Sequence, residues 1–263
     1  MKKLHTFVIL AYKESEFLEE CIKSVLNQSI KTNAIIATTT DNKYIRTLAK
    51  KYKLDIVVGK HTTIGGDFDF AKNSANTNLV TIAHQDDTYE YTYAENVIKY
   101  YKKYKKSSII FTDSYEIRNS NKIITNTNLK IKRLMLFPLR LRIFSNIKFI
   151  KRLVICLGNS ICCPAVTFVK ENSPKSIFSC NFKSNTDWYA WEKLSKMPGN
   201  FIYIPKKLMG HRIDETTTTT DIIKQGIRTK EDLAMFKKFW PEKIAKMINK
   251  IYSNSEKSNE STN

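Results

Sequence analysis

Over the first 113 residues the apolar pattern keeps switching between short continuous runs and a 3.6-residue period, and this alternation restricts the fold more than any other feature. HTFVILAY (5–12) reads as a buried strand, as do NAIIATTT (33–40), LDIVVG (54–59), NLVTIAH (78–84) and SSIIFTD (107–113). Helical stretches separate them. After the first strand Ser15 offers an N-cap, Glu16, Glu19 and Glu20 load the positive end of a helix, and Phe17, Leu18, Cys21, Ile22, Val25 and Leu26 form its apolar face. Further helices are predicted over 44–52 and near 67–76 and 91–105. Strands joined by helices of this length predict an α/β fold with a mostly parallel central sheet flanked by helices.

In such a sheet, ligands bind in the crevice beyond the carboxyl ends of the strands. Tyr12 and Glu14 follow the first strand, Asp41 the second, and Asp86 and Asp87 the fourth. Two adjacent bare carboxylates repel each other unless a cation lies between them. Hard divalent ions such as Mg2+ or Mn2+ use one or two protein carboxylates and complete their shell with phosphate and water. The plain alternative is a solvated turn with one aspartate capping the next helix.

From residue 116 onward the texture changes. No acidic residue falls between Glu116 and Glu171, a window that holds eleven lysines and arginines of a chain whose formal charge is +19. Within it, Leu139, Ile143, Ile147, Ile150, Val154 and Leu157 recur at spacings of three and four and predict a basic amphipathic helix over 130–157. Three readings of that helix stand open: a core helix whose cations snorkel, contact with an anionic membrane surface, or contact with a nucleic-acid backbone. The last ranks lowest, because no recognised nucleic-acid-binding fold accompanies it, and no nucleic acid is expected as a partner. CPAVTFV then reads as a strand, TDWYAWEKLSKM as a helix, FIYIPKKLMGHRI as two short strands, and DIIKQGIRTKEDLAMFKKFW and PEKIAKMINKIY as closing helices, the second opened by Pro241. The stretch 253–263 has no apolar residue and is expected to be a disordered tail.

With 263 residues and 42% hydrophobic content, the chain supports one sizeable core, or a core with a small second lobe. No apolar run reaches the length of a spanning helix, and five cysteines without a CxxC pair fit reduced thiols. The expectation is a cytoplasmic protein, neither secreted nor membrane-spanning.

LVTIAHQDDTY, taken with VILAYKESEFLEECIKSVLNQS, resembles the nucleotide-sugar half of the family 2 glycosyltransferases of GT-A fold. NSICCPAVTF, NTDWYAWEKL and GHRIDETTTTT are similar in order and spacing to that family's acceptor half. The resemblance implies a nucleotide-sugar-binding half over 1–115 and an acceptor-side half over 116–252. It implies an inverting transfer from a nucleoside-diphosphate sugar, first among them a UDP-sugar, to a glycan or polyprenol-linked acceptor. The setting it implies is bacterial surface polysaccharide synthesis, with the enzyme peripheral on the inner face of the membrane.

On the matching positions, Tyr12, Glu14, Asp41, Asp86, His211 and Arg212 are expected to meet the donor, and Asp86, Asp87 and His211 the metal. Asp187, at the start of a helix whose Trp188 and Trp191 are expected to shape an acceptor pocket, is the expected catalytic base; without the resemblance it reads equally as a helix N-terminal aspartate. The chain departs from the pattern at His84, where an aspartate is common, at Thr186, where a glutamate is common, and at Asp214, where a histidine is common. A basic nucleic-acid-binding protein on an α/β scaffold is the alternative from another class. A nucleotidyltransferase or phosphohydrolase is a third, but no phosphate-cradling GxxxxGKS loop favours it.

Overall fold

The computed structural model describes residues 4–213 and 226–260. Asp214 and the first residues of the helix expected from Asp221 lie outside the described residues. The first half alternates as the sequence predicts: β1 (His5–Ala11), α1 (Leu18–Leu26), β2 (Asn33–Thr38), α2 (Lys43–Tyr52), β3 (Asp55–Val58), α3 (Ile64–Ser74), β4 (Leu79–His84), a two-residue β5 (Thr88–Tyr89), α4 (Tyr93–Lys103) and β6 (Ser107–Arg118). After β7 (Asn121–Ile123) come α5 (Thr127–Met135), 3-10 turns at 137–140 and 142–144, α6 (Lys148–Leu153), β8 (Val166–Val169), α7 (Thr186–Ser195), β9 (Asn200–Arg212), α8 (Ile227–Phe236) and α9 (Glu242–Glu260).

The sheet runs in the order β3-β2-β1-β4-β8-β6-β9-β5, with β7 paired to β6. β3, β2, β1 and β4 are parallel neighbours, and so are β6 and β9. β8 runs backwards between β4 and β6 and joins the two parallel blocks into one mixed, mostly parallel sheet. The strands bury both faces. Phe7, Ile9 and Ala11 of β1 enter a layer with Leu18, Ile22, Ile45 and Val97, whereas Val8 enters the opposite layer with Ile82, Phe111, Phe168 and Trp191. This period-2 division explains why the strands are near-continuous apolar runs.

Local chemistry departs from the sequence expectations in five places. Ser15 does not cap α1, which begins after Phe17; instead its hydroxyl accepts from the Phe17 N–H and its carbonyl from the Leu18 N–H and the Tyr44 hydroxyl. FIYIPKKLMGHRI forms one strand, because register shifts opposite Asp113 absorb Pro205 and let pairing to β6 resume. The basic helix expected over 130–157 is broken into α5, two 3-10 turns and α6, since Pro138 cannot continue a helix.

The stripe assigned to that helix splits as a result: Leu139 and Val154 are fully buried, while Ile143 and Leu157 are exposed. At the C-terminus α9 continues to Glu260, past the boundary expected at 253. Residues 253–260 contain neither Gly nor Pro, so a helix already nucleated upstream propagates through them.

Gln28 ties α1 to the start of α4. Its amide donates to Ser24 O and Glu90 O, and its side-chain oxygen accepts from the Ala94 N–H. The five cysteines are free thiols, as expected.

Candidate active site

Where β4 ends at His84, the chain turns with the Asp87 N–H donating to His84 O and passes into β5, which is held by β9. Asp87 is fully buried. Its Oδ1 accepts from the Arg212 backbone N–H at 2.9 Å and lies 3.1 Å from His211 Nδ1. Its Oδ2 has no hydrogen-bond partner, and neither has the buried Nε2 of His84. Donor atoms of His84, Asp86 and Asp87 all lie within 4.8 Å of one another.

Burial, and then the neighbouring Asp87, push the Asp86 carboxyl up; burial holds the His84 imidazole below its usual range and therefore neutral. Burial alone would lower His211, but the Asp87 carboxylate outweighs it and raises the ring above its ordinary value. A buried carboxylate oxygen left without a partner costs free energy that a cation would recover. This donor set of carboxylate and neutral imidazole fits a divalent metal, with His84 occupying the place where an aspartate is common.

The residues expected at the donor side are distributed unevenly. Tyr12 stands at the end of β1, partly exposed, where its N–H and C=O form a reciprocal pair with the side-chain amide of Gln85, fixing the two strand ends to each other. Glu14 is exposed beside it. Asp41 is paired with Arg46 and leaves the capping of α2 to Asn42. Arg212 is buried with its guanidinium engaged by Asp86 O and Glu20 and packed 4.1 Å over the Phe17 ring, so it clamps the aspartate turn to α1.

Sequence reasoning missed a second cluster at these strand ends. His61 Nδ1 lies 2.7 Å from Asp67 Oδ2, which also accepts from the Thr39 hydroxyl, while Asp67 Oδ1 is buried without a partner. Phe68, the next residue, stacks on His84 at 5.2 Å and 10°. No periodic signal links His61 to Asp67; the contact arises because α3 starts beside β2.

On the other side Asp187 sits in the first turn of α7, the positive end of the helix. Its Oδ2 accepts from the Asn159 amide at 2.6 Å and its Oδ1 from the Trp188 N–H at 2.7 Å. Burial nevertheless raises its carboxyl above the ordinary value. Glu231 of α8 accepts from the backbone N–H groups of Lys183, Ser184 and Asn185 at 2.7, 2.8 and 3.0 Å and so fixes the approach to α7. Asp232, pushed up to about 6 chiefly by burial, accepts from the Asn185 amide.

Trp188 and Trp191 are fully buried, which corrects their expected place in an acceptor pocket. Trp188 donates to Ile155 O and packs on Phe236, and Trp191 stacks on Phe168, so helix periodicity has sent both into the core. Just before β8, Cys163 is buried and Cys162 half-buried, and the charges of both Asp87 and Asp187 help to raise the two thiols, burial being the larger cause.

Residues 6–178 match the family model for glycosyl transferase family 2. No curated protein sequence matches the chain. Among solved structures, TarS of S. aureus superposes with a TM-score of 0.54 at 12% identity over 94% of this chain, which spans 42% of that one. The 1–349 portion of TarS in complex with UDP-GlcNAc gives a TM-score of 0.55 at 11% identity, over 94% of this chain and 70% of that one. The mannosyltransferase PcManGT from Pyrobaculum calidifontis, in complex with GDP-Man and Mn2+, gives 0.58 at 11% identity, over 90% of this chain and 64% of that one. At these identities the likeness establishes the fold, a GT-A α/β sheet flanked by helices.

Proposed function

This chain belongs to glycosyl transferase family 2, and from that membership we propose that it is an inverting enzyme that moves a sugar from a nucleoside diphosphate to a hydroxyl of a glycan or lipid-linked acceptor. The observation that carries the reading is the cluster of His84, Asp86 and Asp87 at the end of β4, whose buried Asp87 Oδ2 has no hydrogen-bond partner, together with the raised carboxyl of Asp187 at a helix start.

Asp86, with Asp87 and His84, would hold Mg2+ or Mn2+, and His211 would orient Asp87. When bound, the metal supplies positive charge that stabilises the departing diphosphate. Tyr12, Glu14 and Asp41 line the strand ends where the nucleotide would lie. Arg212 acts on the donor indirectly, through the aspartate turn it clamps.

Asp187, held by Asn159 and poised by burial, takes the proton of the acceptor hydroxyl. The acceptor oxygen forms a bond to the anomeric carbon from the face opposite the leaving group. The bond from that carbon to the diphosphate oxygen breaks, and the nucleoside diphosphate leaves with the electron pair. A UDP-sugar is the first donor to test, because UDP-GlcNAc is bound in the TarS complex, and GDP-mannose is the second. The proposed setting is bacterial surface polysaccharide synthesis at the cytoplasmic face of the membrane; no described helix is long and apolar enough to cross it.

Transfer by the purified protein from nucleotide sugars of known anomeric form, with the product read by NMR coupling constants, tests the mechanism. Inversion is expected. A product of retained configuration overturns the role given to Asp187.

A further inference from the structure

Breaking the basic segment into short helices turns much of its apolar surface outward. Leu134, Phe137, Leu141, Ile143 and Phe149 are 74, 55, 54, 78 and 71% exposed, although all five fall within sixteen residues of sequence. Five large apolar side chains this exposed within so short a stretch are uncommon on soluble monomers and point to an interaction face. α5 and α6 both pack against the turn at 137–140, whose Leu139 is fully buried, so the exposed side chains cluster around one anchored point.

The cations divide in a way that fits this anchoring. Arg133 donates to Asp113, Ser114 O and Ile124 O, and the fully buried Lys151 donates to Met197 O and Gly199 O. These inward residues pin α5 and α6 to the sheet. Lys130, Arg140 and Lys148 are exposed instead, and among the described residues no carboxylate lies within ion-pair distance of them, whereas Lys122, Arg118, Arg133 and Arg152 reach Glu90, Glu116, Asp113 and Glu192.

We infer that the outward side of residues 130–149 is a docking surface for an anionic lipid bilayer, on which the protein lies without spanning it. The charge decides the occupant. A second copy of this chain would set a segment without acids, with Lys130, Arg140 and Lys148 unpaired by carboxylates, against an identical one, since a two-fold interface is self-complementary in position, and like charges would oppose it. A nucleic-acid backbone would satisfy the cations but would leave Leu134, Ile143 and Phe149 in water. An anionic bilayer satisfies both, with headgroups meeting Lys130, Arg140 and Lys148 and acyl chains taking the apolar side chains.

The consequence for the acceptor rests on the glycosyltransferase reading. Lys132, on the same helix α5, exerts a small electrostatic effect on Asp187 and His211. On that reading, a sugar acceptor presented from the bilayer surface would approach the enzyme from the side of α5.

Co-sedimentation with vesicles of phosphatidylcholine plus phosphatidylglycerol, against phosphatidylcholine alone, tests the inference on the full chain. Salt-sensitive binding to the anionic vesicles is expected. The double variant Ile143→Asp/Phe149→Asp should weaken that binding about 100-fold or more, and each of Lys130→Glu, Arg140→Glu and Lys148→Glu about fivefold or more. Absence of binding to anionic vesicles, or binding unchanged in all the variants, overturns the inference. So does a concentration-dependent dimer, or oligonucleotide binding, that the double variant abolishes. If the double variant does not fold, hydrogen exchange of the wild type on vesicles takes its place, with new protection expected within 130–149 and protection elsewhere counting against the surface. Vesicle binding without any melting shift from nucleotide sugars would leave the docking surface standing and remove the transferase reading; the reverse result would do the opposite.

Discussion

Asp86 and Asp87 are placed within the sheet: β4 ends, the chain turns within three residues into β5, and β9, paired to β5, brings Arg212 and His211 to Asp87. In the acceptor half, Asp187 is placed by residues 28 and more positions away, with Asn159 on one oxygen and Glu231 gripping the preceding loop. The first arrangement is a property of a strand end in an α/β sheet. The second exists only once α7 and α8 have packed. The comparison teaches that one carboxylate centre is as robust as the sheet, whereas the other depends on contacts among helices and loops beyond it. Each half is therefore open to separate disruption.

The sharpest break is Asp187→Asn. Removing the base should lower kcat by about 10²–10⁴-fold while the thermal shift produced by nucleotide sugar and metal stays near that of the wild type. Steady-state kinetics beside a melting titration read both quantities. A variant with full turnover would take Asp187 out of the reaction. Because burial raises the Asp187 carboxyl, the wild-type rate should climb as pH rises through that raised value, the protonated form being inactive as a base.

Asp87→Asn strikes the other half. It removes the charge behind the unpartnered Oδ2 and weakens the contact to His211, and metal affinity should fall about 10–100-fold. Calorimetric titration with Mn2+ measures this, independently of transfer. Unchanged metal affinity would mean that the cluster of His84, Asp86 and Asp87 is not the metal site.

Glu231→Gln tests the long-range construction itself. One carboxylate accepting three backbone N–H groups is a charge-assisted grip, and its loss should cost about 1.5–3 kcal/mol of stability in urea unfolding. Turnover should fall while donor binding holds, since the grip fixes α7 and leaves the aspartate turn untouched. Loss of donor binding in the same measure would show that the two halves are not separable.

The same contrast explains what was legible in the sequence. The strands of the first half announce themselves because both faces are buried, whereas the adjacent acids at the end of such a run fit a solvated turn as well as a ligand site, and the family resemblance is what favours the ligand. Asn159, Glu231 and Asp232 carry no such mark, because nothing in the spacing of residues brings 159 to 187 or 231 to 183. His61 and Asp67 were missed for the same reason.

The misread segment 130–157 shows the limit of periodicity. Leu139 and Val154 share a helical spacing with Ile143 and Leu157, yet Pro138 breaks the helix and the two pairs end on opposite sides of the surface. Trp188 and Trp191 fail differently: their proximity to Asp187 suggests a pocket, but Trp188 lies about 100° round the helix from it, and Trp191, one turn along Asp187's own face, is covered by Phe168 and Phe178.

The smallest expected effect lies on the seam between the halves. His5 of β1, fully buried, has Nε2 2.8 Å from the Thr81 hydroxyl of β4, which in turn lies 2.7 Å from the Thr167 hydroxyl of β8; the Tyr93 hydroxyl is 3.2 Å from Thr167. This chain of polar groups crosses the sheet where the donor block meets the reversed strand. No acid faces the ring within it, its Nδ1 has no partner, and burial lowers the imidazole from 6.5 to about 3. The unfolded chain therefore binds a proton near 6.5 that the folded chain refuses until about 3, so this contribution to stability is complete above the unfolded value and is lost as pH falls toward the folded one. Between pH 7 and pH 5 the loss amounts to about 2 kcal/mol. His84 titrates in the same sense and His211 in the opposite one, so the measurement is a difference: urea unfolding of the wild type and of His5→Gln at both pH values. The wild type should lose about 2 kcal/mol more than the variant on acidification. An equal loss in both would mean that the seam is not where the two halves respond to acid.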